Sequence, residues 1–483
     1  MNLNFEPLNK ALNTFVKYIP SVEKPTYKQT VNTRLKWTGI ALLLYFVLSF
    51  VQVYGLEKTA NFEQFRFYEI VLGSKFGSLM TLGIGPIVTA GILLQLLVGS
   101  KIINWDTTKP EDREKFQIWD KFLAVLLCFI EAATFVFAGA LPVTASGGIA
   151  LKMAAMFQLA AGALIVVLLD EIVSKWGFGS GISLFIAAGV GSQILIRVLS
   201  PFSATCLPND IASCLPSASN PPSGLLWAFV FNIFSSNPML ALSAIIPLIS
   251  TAVVFLLVAY VQDVEIEIPL TFSSMRGFGR SWGLKLLYTS NIPVILTAAL
   301  IANMQLVSHM GAVTQAGLSC SWLGCYDAQG NAASGVIYYL TSPKSLLSDI
   351  VKMTITSSEI MRAVTYTIFM VVTAIIFSVF WITTSGMDSG SVADQIIGAG
   401  MQIPGYRSDK KIMEGVLNRY IPSLAVLSGL IVGLFAAFAD FIGALGTGTG
   451  MLLTVMIVYN YYEELRAQRL DEAHPLVRKI FGE

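Results

Sequence analysis

Apolar runs of near-uniform length, set apart by polar stretches, organise the chain. They cover residues 37–54, 78–99, 122–141, 153–172, 182–199, 239–261, 292–307, 364–383, 421–441 and 444–462. Each is close to the ~20 residues that a helix needs to cross hydrocarbon, so the pattern predicts about ten membrane-spanning helices. Polar residues intrude at both ends of the seventh run and at the start of the eighth. The second run, GSLMTLGIGPIVTAGILLQLLVG over 77–99, contains a Gly-Ile-Gly-Pro break at 83–86. A proline costs an apolar helix one backbone hydrogen bond, so this helix suits packing in protein or lining a cavity rather than a simple anchor. Just before it, FEQFRFYEIVLG at 62–73 is amphipathic and too short to span. A half-helix leading into an interrupted helix is a pointer to a transport path.

Two polar stretches have patterns of their own. VEIEIPLTF at 264–272 alternates at its start, SSMRGFGRS turns, and WGLKLLY returns, which predicts an exposed hairpin with Arg276 and Arg280 at its tip. YRSDKKIMEGVLNRY at 406–420 forms a second basic protrusion. Loop basicity follows from topology alone, yet two long basic projections on one face also suit docking to something large and anionic, such as ribosomal RNA.

Composition places most of the chain in lipid: mean hydropathy is +0.68, 54% of the 483 residues are hydrophobic and 13% are charged. The net charge of +1 is uninformative, but its distribution is not. If the runs alternate across the bilayer, 23 of the 31 Lys and Arg fall on one side. That side is therefore cytoplasmic and holds both termini. The first 36 residues are polar and carry six basic residues, unlike a cleavable signal peptide. Five runs precede the loop at 201–237, which has no Lys or Arg, and five follow it. An odd number per half means that similar halves would be inverted relative to each other. No residue-level repeat stands out, so the symmetry rests on counting. The expected organisation is an all-α polytopic protein. It has a cytoplasmic segment 1–36, a first half 37–200, an external connection 201–237, a second half 238–463 with cytoplasmic loops 262–287 and 383–420, and a tail 464–483.

Catalytic chemistry is sparse. The two histidines, His309 and His474, lie outside the spans, no His/Cys/Asp/Glu cluster has metal-ligand spacing, and the GTGTG at 446–450 lacks the Lys-Ser/Thr of a phosphate loop. Those glycines suit close helix packing instead. Glu131 is the clearest ionisable residue within a span, a functional candidate because burying it is costly, or else a carboxylate satisfied by a neighbouring helix. Asp170, Glu171 and Asp440 close spans and read as interfacial. Cys206 and Cys214 share one outward loop and Cys320 and Cys325 another, where disulfides are chemically permitted; four ordinary thiols are the alternative. Cys128 lies within a span. From the residues alone, a transport path competes with enzyme chemistry: a secondary transporter of a small solute would share inverted halves and a broken helix but need more midplane charge, and an intramembrane enzyme lacks catalytic residues.

Five segments carry a specific resemblance: LGIGPIVTAGILLQLLVGS, LLDEIVSKWGFGSGISLFIAAG, TSNIPVILTAALIAN, LNRYIP and ADFIGALGTGTGMLLTVMIVY. They resemble the SecY family, the channel subunit of the Sec protein translocon, and their wording is closer to its archaeal and eukaryotic branch. The resemblance implies a clamshell of ten helices in two halves, an hourglass pore, and a lateral gate formed mainly by the second, third, seventh and eighth spans. It implies a pore ring of Ile84, Val88, Ile182, Ile186, Ile295 and Leu453, sealed by a plug helix over 62–73 that includes Phe62, Phe65, Phe67, Ile70 and Val71. It further implies a polar gate cluster of Thr89, Glu131 and Asn303, where family members outside the archaea often carry Gln at the Glu131 position, and ribosome contacts at Arg276 and Arg407. Implied partners are a SecE-type (gamma) subunit, a SecG-like or beta subunit, the translating ribosome, signal sequences with nascent chains, and lipid. No cofactor or metal is implied. The membrane would be an archaeal cell membrane, with the endoplasmic reticulum as alternative. The four outward cysteines are not part of the family pattern. Independently of the resemblance, Ile84 and Val88, like Ile182 and Ile186, are spaced to share one helical face. A narrow collar of such side chains dewets and blocks ions without offering hydrogen bonds that discriminate among passing sequences.

Overall fold

The computed structural model describes residues 20–27, 29–56, 69, 73–100, 102–103, 105, 109–137, 141–144, 148–203, 222–234, 238–272, 279–310, 313–315, 318–327, 332–343, 346, 350, 356–402 and 409–472. Its first half contains α1 (Val31–Phe50), α2 (Gly85–Gly99), α3 (Pro110–Phe137), α4 (Gly148–Trp176) and α5 (Gly181–Leu199). After α6 (Leu225–Phe234), the second half contains α7 (Pro238–Gln262), α8 (Ile292–Met310), a short α9 (Val336–Leu340), α10 (Ser357–Ser385), α11 (Ser389–Gly398), α12 (Lys410–Phe441) and α13 (Gly448–Glu472). Every apolar run thus carries a helix: α1 to α5, α7, α8, α10, α12 and α13. Among the described residues, six helices are long and apolar enough by length and composition to cross a bilayer, and α2 and α8 are apolar but shorter. Several helices outrun their apolar cores. For example, α12 begins at Lys410, eleven residues before the run at 421–441, because Lys, Glu and Met keep good helix propensity outside lipid.

The second run departs from expectation. Its helix starts only at Gly85, with Pro86 in the first turn, so the proline begins the helix rather than interrupting it. The missing N–H costs nothing there, because first-turn donors have no partner inside the helix. Residues 76–84, mostly buried, approach as turns instead. Their backbone is satisfied by neighbours: Val53 N–H donates to Gly77 O at 2.9 Å and Leu79 N–H to Val51 O at 2.9 Å. Irregular backbone at membrane depth is tolerated where protein encloses it. The opposite side of this stretch is closed by α4, where Gly162 is indispensable, since a Cβ there would lie 2.0 Å from Leu79 O.

The 201–237 connection is likewise not all loop. Its apolar end forms α6, which packs on α5 and α7, and Trp227 Nε1–H donates to Leu199 O at 3.1 Å.

Helix neighbours repeat between halves. In the first, α2, α3, α4 and α5 contact one another in succession; in the second, α8, α10, α12 and α13 do the same. The halves meet along two lines, α2 against α8 and α10, and α5 against α13. One large buried cluster runs through both.

The predicted hairpin is present. β1 (Glu265–Phe272) pairs antiparallel with β2 (Gly279–Lys285) from Glu265↔Lys285 to Thr271↔Gly279. A two-residue strand, β7 (Met401–Gln402), adds to the other edge of β1, joining the two loops that were read as separate projections. Ile268 and Leu284 pack under this sheet with Val392 and Ile396 of α11 and Leu417 of α12, and Lys285 pairs with Glu463 of α13. On the opposite side, the loop after α8 forms a meander that the sequence did not reveal: β3 (Val313–Gln315), β4 (Leu318–Ser321), β5 (Gly324–Tyr326) and β6 (Ala332–Gly335). Cys320 and Cys325 face each other across β4 and β5 and are disulfide-bonded. Cys206 and Cys214 lie outside the described residues.

Candidate pore and lateral seam

The six aliphatic candidates come from four helices, two in each half. Ile84 precedes α2 and accepts the N–H of Val88, at 3.1 Å, so the pair shares one turn. Ile182 and Ile186 occupy the first two turns of α5, Ile295 the first turn of α8, and Leu453 the second turn of α13. Five are buried, with Ile84, Ile186 and Leu453 at 0% exposure, and all five belong to one apolar cluster against which the partly buried Ile182 packs.

What sets the height of these helices is a repeated start that the sequence reading missed. α5 opens on Gly179-Ser180-Gly181 and α13 on Gly446-Thr447-Gly448. At the start of α5, Ile182 N–H donates to Asp170 Oδ1 at 2.9 Å; at the start of α13, Thr449 N–H donates to Asp440 Oδ1 at 2.9 Å. Asp170 and Asp440 are therefore helix caps supplied by the preceding helix, rather than interfacial carboxylates, placed where first-turn N–H groups and the positive end of the helix dipole favour an anion. The second glycine of each triplet permits the approach: a Cβ would lie 2.6 Å from Asp170 Cα at Gly181 and 1.9 Å from Ala439 C at Gly448. Ile186 and Leu453 each stand five residues after that glycine, in the second turn of their helices. Asp440 also accepts from Tyr366 Oη at 2.6 Å, tying α10 to the same joint.

Along the other line of contact, Asn303 of α8 donates from Nδ2 to Thr89 Oγ1 of α2 at 3.2 Å. The Glu131 side chain of α3 lies beside the same Thr89, and its Oε2 is buried without a hydrogen-bond partner among the described residues. The three polar candidates thus meet at one hydroxyl, where α2, α3 and α8 come together. Lower on this seam Gly99 of α2 faces Phe380 of α10 so closely that a Cβ on it would lie 3.2 Å from Phe380 Cβ.

The plug candidates Phe62, Phe65, Phe67, Ile70 and Val71 lie outside the described residues, as do Arg276 and Arg407. The end of the plug segment is described and anchored. Tyr45 of α1 donates its hydroxyl to Gly73 O and stacks on Phe185, at 4.9 Å between ring centroids, while Phe76 N–H donates to Glu69 Oε1 at 2.7 Å. Phe185 adjoins Ile186, so this segment ends beside the aliphatic cluster. Tyr45 carried no signal in sequence beyond a tyrosine in an apolar run.

The SecY family model matches residues 78–462, and the model for the plug domain of Sec61p matches residues 43–77. This chain belongs to the SecY family. Protein translocase subunit SecY of Methanocaldococcus jannaschii is 42% identical over 475 residues, covering 98% of this chain and 100% of that protein. The same subunit of Pyrococcus furiosus is 41% identical over 477 residues, covering 96% and 97%. Among solved structures, one described as a protein-conducting channel superposes with TM-score 0.78 at 40% identity, covering 96% of this SecY-family chain and 98% of its own. Sec61 in a canine ribosome-channel complex from the endoplasmic reticulum superposes with TM-score 0.75 at 39% identity, covering 96% and 98%. The SecY fold and its multi-pass membrane character therefore stand, and the comparisons lend the solute-transporter alternative no support.

Proposed function

We infer that this protein is the channel subunit of a translocon, passing unfolded secretory polypeptides across the membrane and releasing transmembrane segments sideways into lipid. The observation that carries the reading is the convergence of aliphatic side chains from α2, α5, α8 and α13, two helices from each half, in one cluster lacking polar partners for a substrate. Ile84, Val88, Ile182, Ile186, Ile295 and Leu453 form the collar. It dewets when empty and is indifferent to the sequence passing through. The contact of α2 with α8 and α10 is the gate: a sufficiently apolar segment gains roughly 25 cal/mol per Å² of apolar surface on leaving water for lipid, and the Thr89, Glu131 and Asn303 cluster sets how readily the seam parts. Phe62, Phe65, Phe67, Ile70 and Val71 seal the collar from outside.

Both termini lie in the cytoplasm of an archaeal cell, with the endoplasmic reticulum membrane as the alternative location. The sequence supplies no nucleotide loop, so the channel is passive and is driven by a partner. A translating ribosome fits: Arg276 and Arg407 belong to the two basic loops, whose described strands β1, β2 and β7 form one sheet, and a relative is known in a ribosome-channel complex. A SecE-type subunit clasping the halves and a SecG-like or beta subunit complete the assembly. A photo-crosslinker at Ile84 or Ile186 should capture a stalled secretory chain in the assembled complex. Failure of both positions to touch the chain, with a small solute bound there instead, would refute the channel.

A further inference from the structure

A cavity of about 190 Å³ opens between the starts of α5 and α8 and the middle of α13, lined among others by Ser183, Asn291, Ile457, Asn460, Tyr461 and Glu464. Its walls continue the helical faces of the collar. Ser183 adjoins Ile182, Asn291 lies four residues before Ile295, and Ile457 lies four residues after Leu453, so on α8 and α13 the cavity stands one helical turn, ~5.4 Å, from the collar. It lies on the side of the β1–β2 hairpin, where a chain entering from the cytoplasm arrives.

Unlike the collar, the cavity has polar side chains in its walls, and one of its donors is unused. Asn291 is 4% exposed, yet its Nδ2 has no hydrogen-bond partner among the described residues. The side chain is held from behind: Ser290 Oγ donates to Asn291 Oδ1 at 3.1 Å, Asn460 Nδ2 donates to Ser290 Oγ at 2.8 Å, and Gln262 Nε2 donates to Asn460 Oδ1 at 3.3 Å. This relay links the end of α7, the start of α8 and the middle of α13. Ser290, at φ 54°, is the non-glycine residue with positive φ among those described, a conformation that persists only where its surroundings enforce it. A buried amide donor left open is costly unless something fills the site. The ligand must present an acceptor, reach a site one turn from the collar and be tolerated whatever its side chains.

We propose that this cavity is a binding site for the main-chain carbonyl of an extended polypeptide, with Asn291 Nδ2 as donor, so that the incoming chain is held by its backbone one turn before the collar. This deepens the channel reading and rests on it. The test uses the full complex with stalled chains bearing a single cysteine. Ser183→Cys should form a disulfide with the chain as readily as Ile186→Cys, and equally for Gly-Ser and Leu-Ala stretches, because the bonded group is main chain. Asn291→Asp, which keeps the acceptor for Ser290 and removes the donor, should slow translocation about three- to tenfold, the worth of one neutral hydrogen bond, while Asn291→Gln restores part of the rate. Capture at Ile186→Cys without capture at Ser183→Cys, capture that follows the substrate's side chains, or an Asn291→Asp channel at wild-type rate would overturn the site and leave the channel standing. Silence at both cysteines would overturn the channel reading, and this site with it.

Discussion

The hydrogen bond from Asn303 Nδ2 to Thr89 Oγ1 crosses from one half of the molecule to the other. Its net worth is about 1 kcal/mol, as for other neutral hydrogen bonds exchanged against water, which suits a seam that must part during each insertion. Replacing Asn303 with Leu removes this bond and leaves the Thr89 hydroxyl to Glu131. The expected outcome is a shift in the hydrophobicity a segment needs for insertion, read with a graded series of test segments; an unchanged threshold would remove Asn303 from the gate. Thr89, Glu131 and Asn303 were identifiable in sequence through family motifs, and Glu131 also through its cost in lipid. Their convergence on one hydroxyl was not, since no local rule joins positions 89, 131 and 303.

At the scale of elements, helix starts carry the pore. α5 and α13 are each capped by an aspartate from the preceding helix, across a glycine that has no room for a side chain. Gly448→Ala should therefore force α12 and α13 apart, because the new Cβ would meet backbone atoms that cannot rotate away. Since overpacking typically costs about 1–3 kcal/mol and a backbone clash exceeds that range, we expect a lower unfolding temperature in detergent and a leakier channel. Ala at the neighbouring Gly443, where a Cβ meets nothing within 4 Å but φ is +69°, should show only the milder cost of strained backbone. The ten helices were legible because a bilayer imposes a long apolar run on each. The later start of α2 was not, since residues 76–84 are as apolar as a helix and take turns only because α1 and α4 satisfy their backbone.

For the whole molecule, the two lines of contact differ in kind. The line between α5 and α13 is tied by Tyr461, whose hydroxyl donates to Ser180 O at 2.8 Å. The line between α2 and α8 with α10 is the one proposed to open. Paired substitutions Gly99→Cys and Phe380→Cys bring Cβ atoms to a separation of 3.2 Å before relaxation, near the roughly 3.5–4.5 Å of disulfides. Oxidation should lock the seam and stop lateral release of transmembrane segments, and reduction should restore it; unaffected release in the oxidised form would place the exit elsewhere. Deleting residues 62–73 should raise ion conductance of reconstituted channels at rest, while an unchanged leak would count against a plug there.

By itself the sequence determined the membrane as solvent, the ten apolar runs that carry helices and their order, and the exposed hairpin, because each follows from local periodicity and from the cost of burying charge in lipid. Only the tertiary structure decided which helices meet across the seam, that Asp170 and Asp440 are caps, that β7 joins the two basic loops into one sheet, and that the Asn291 donor has no partner among the described residues. Those depend on side chains far apart in the chain, brought into register by packing between helices, and no local pattern encodes that register.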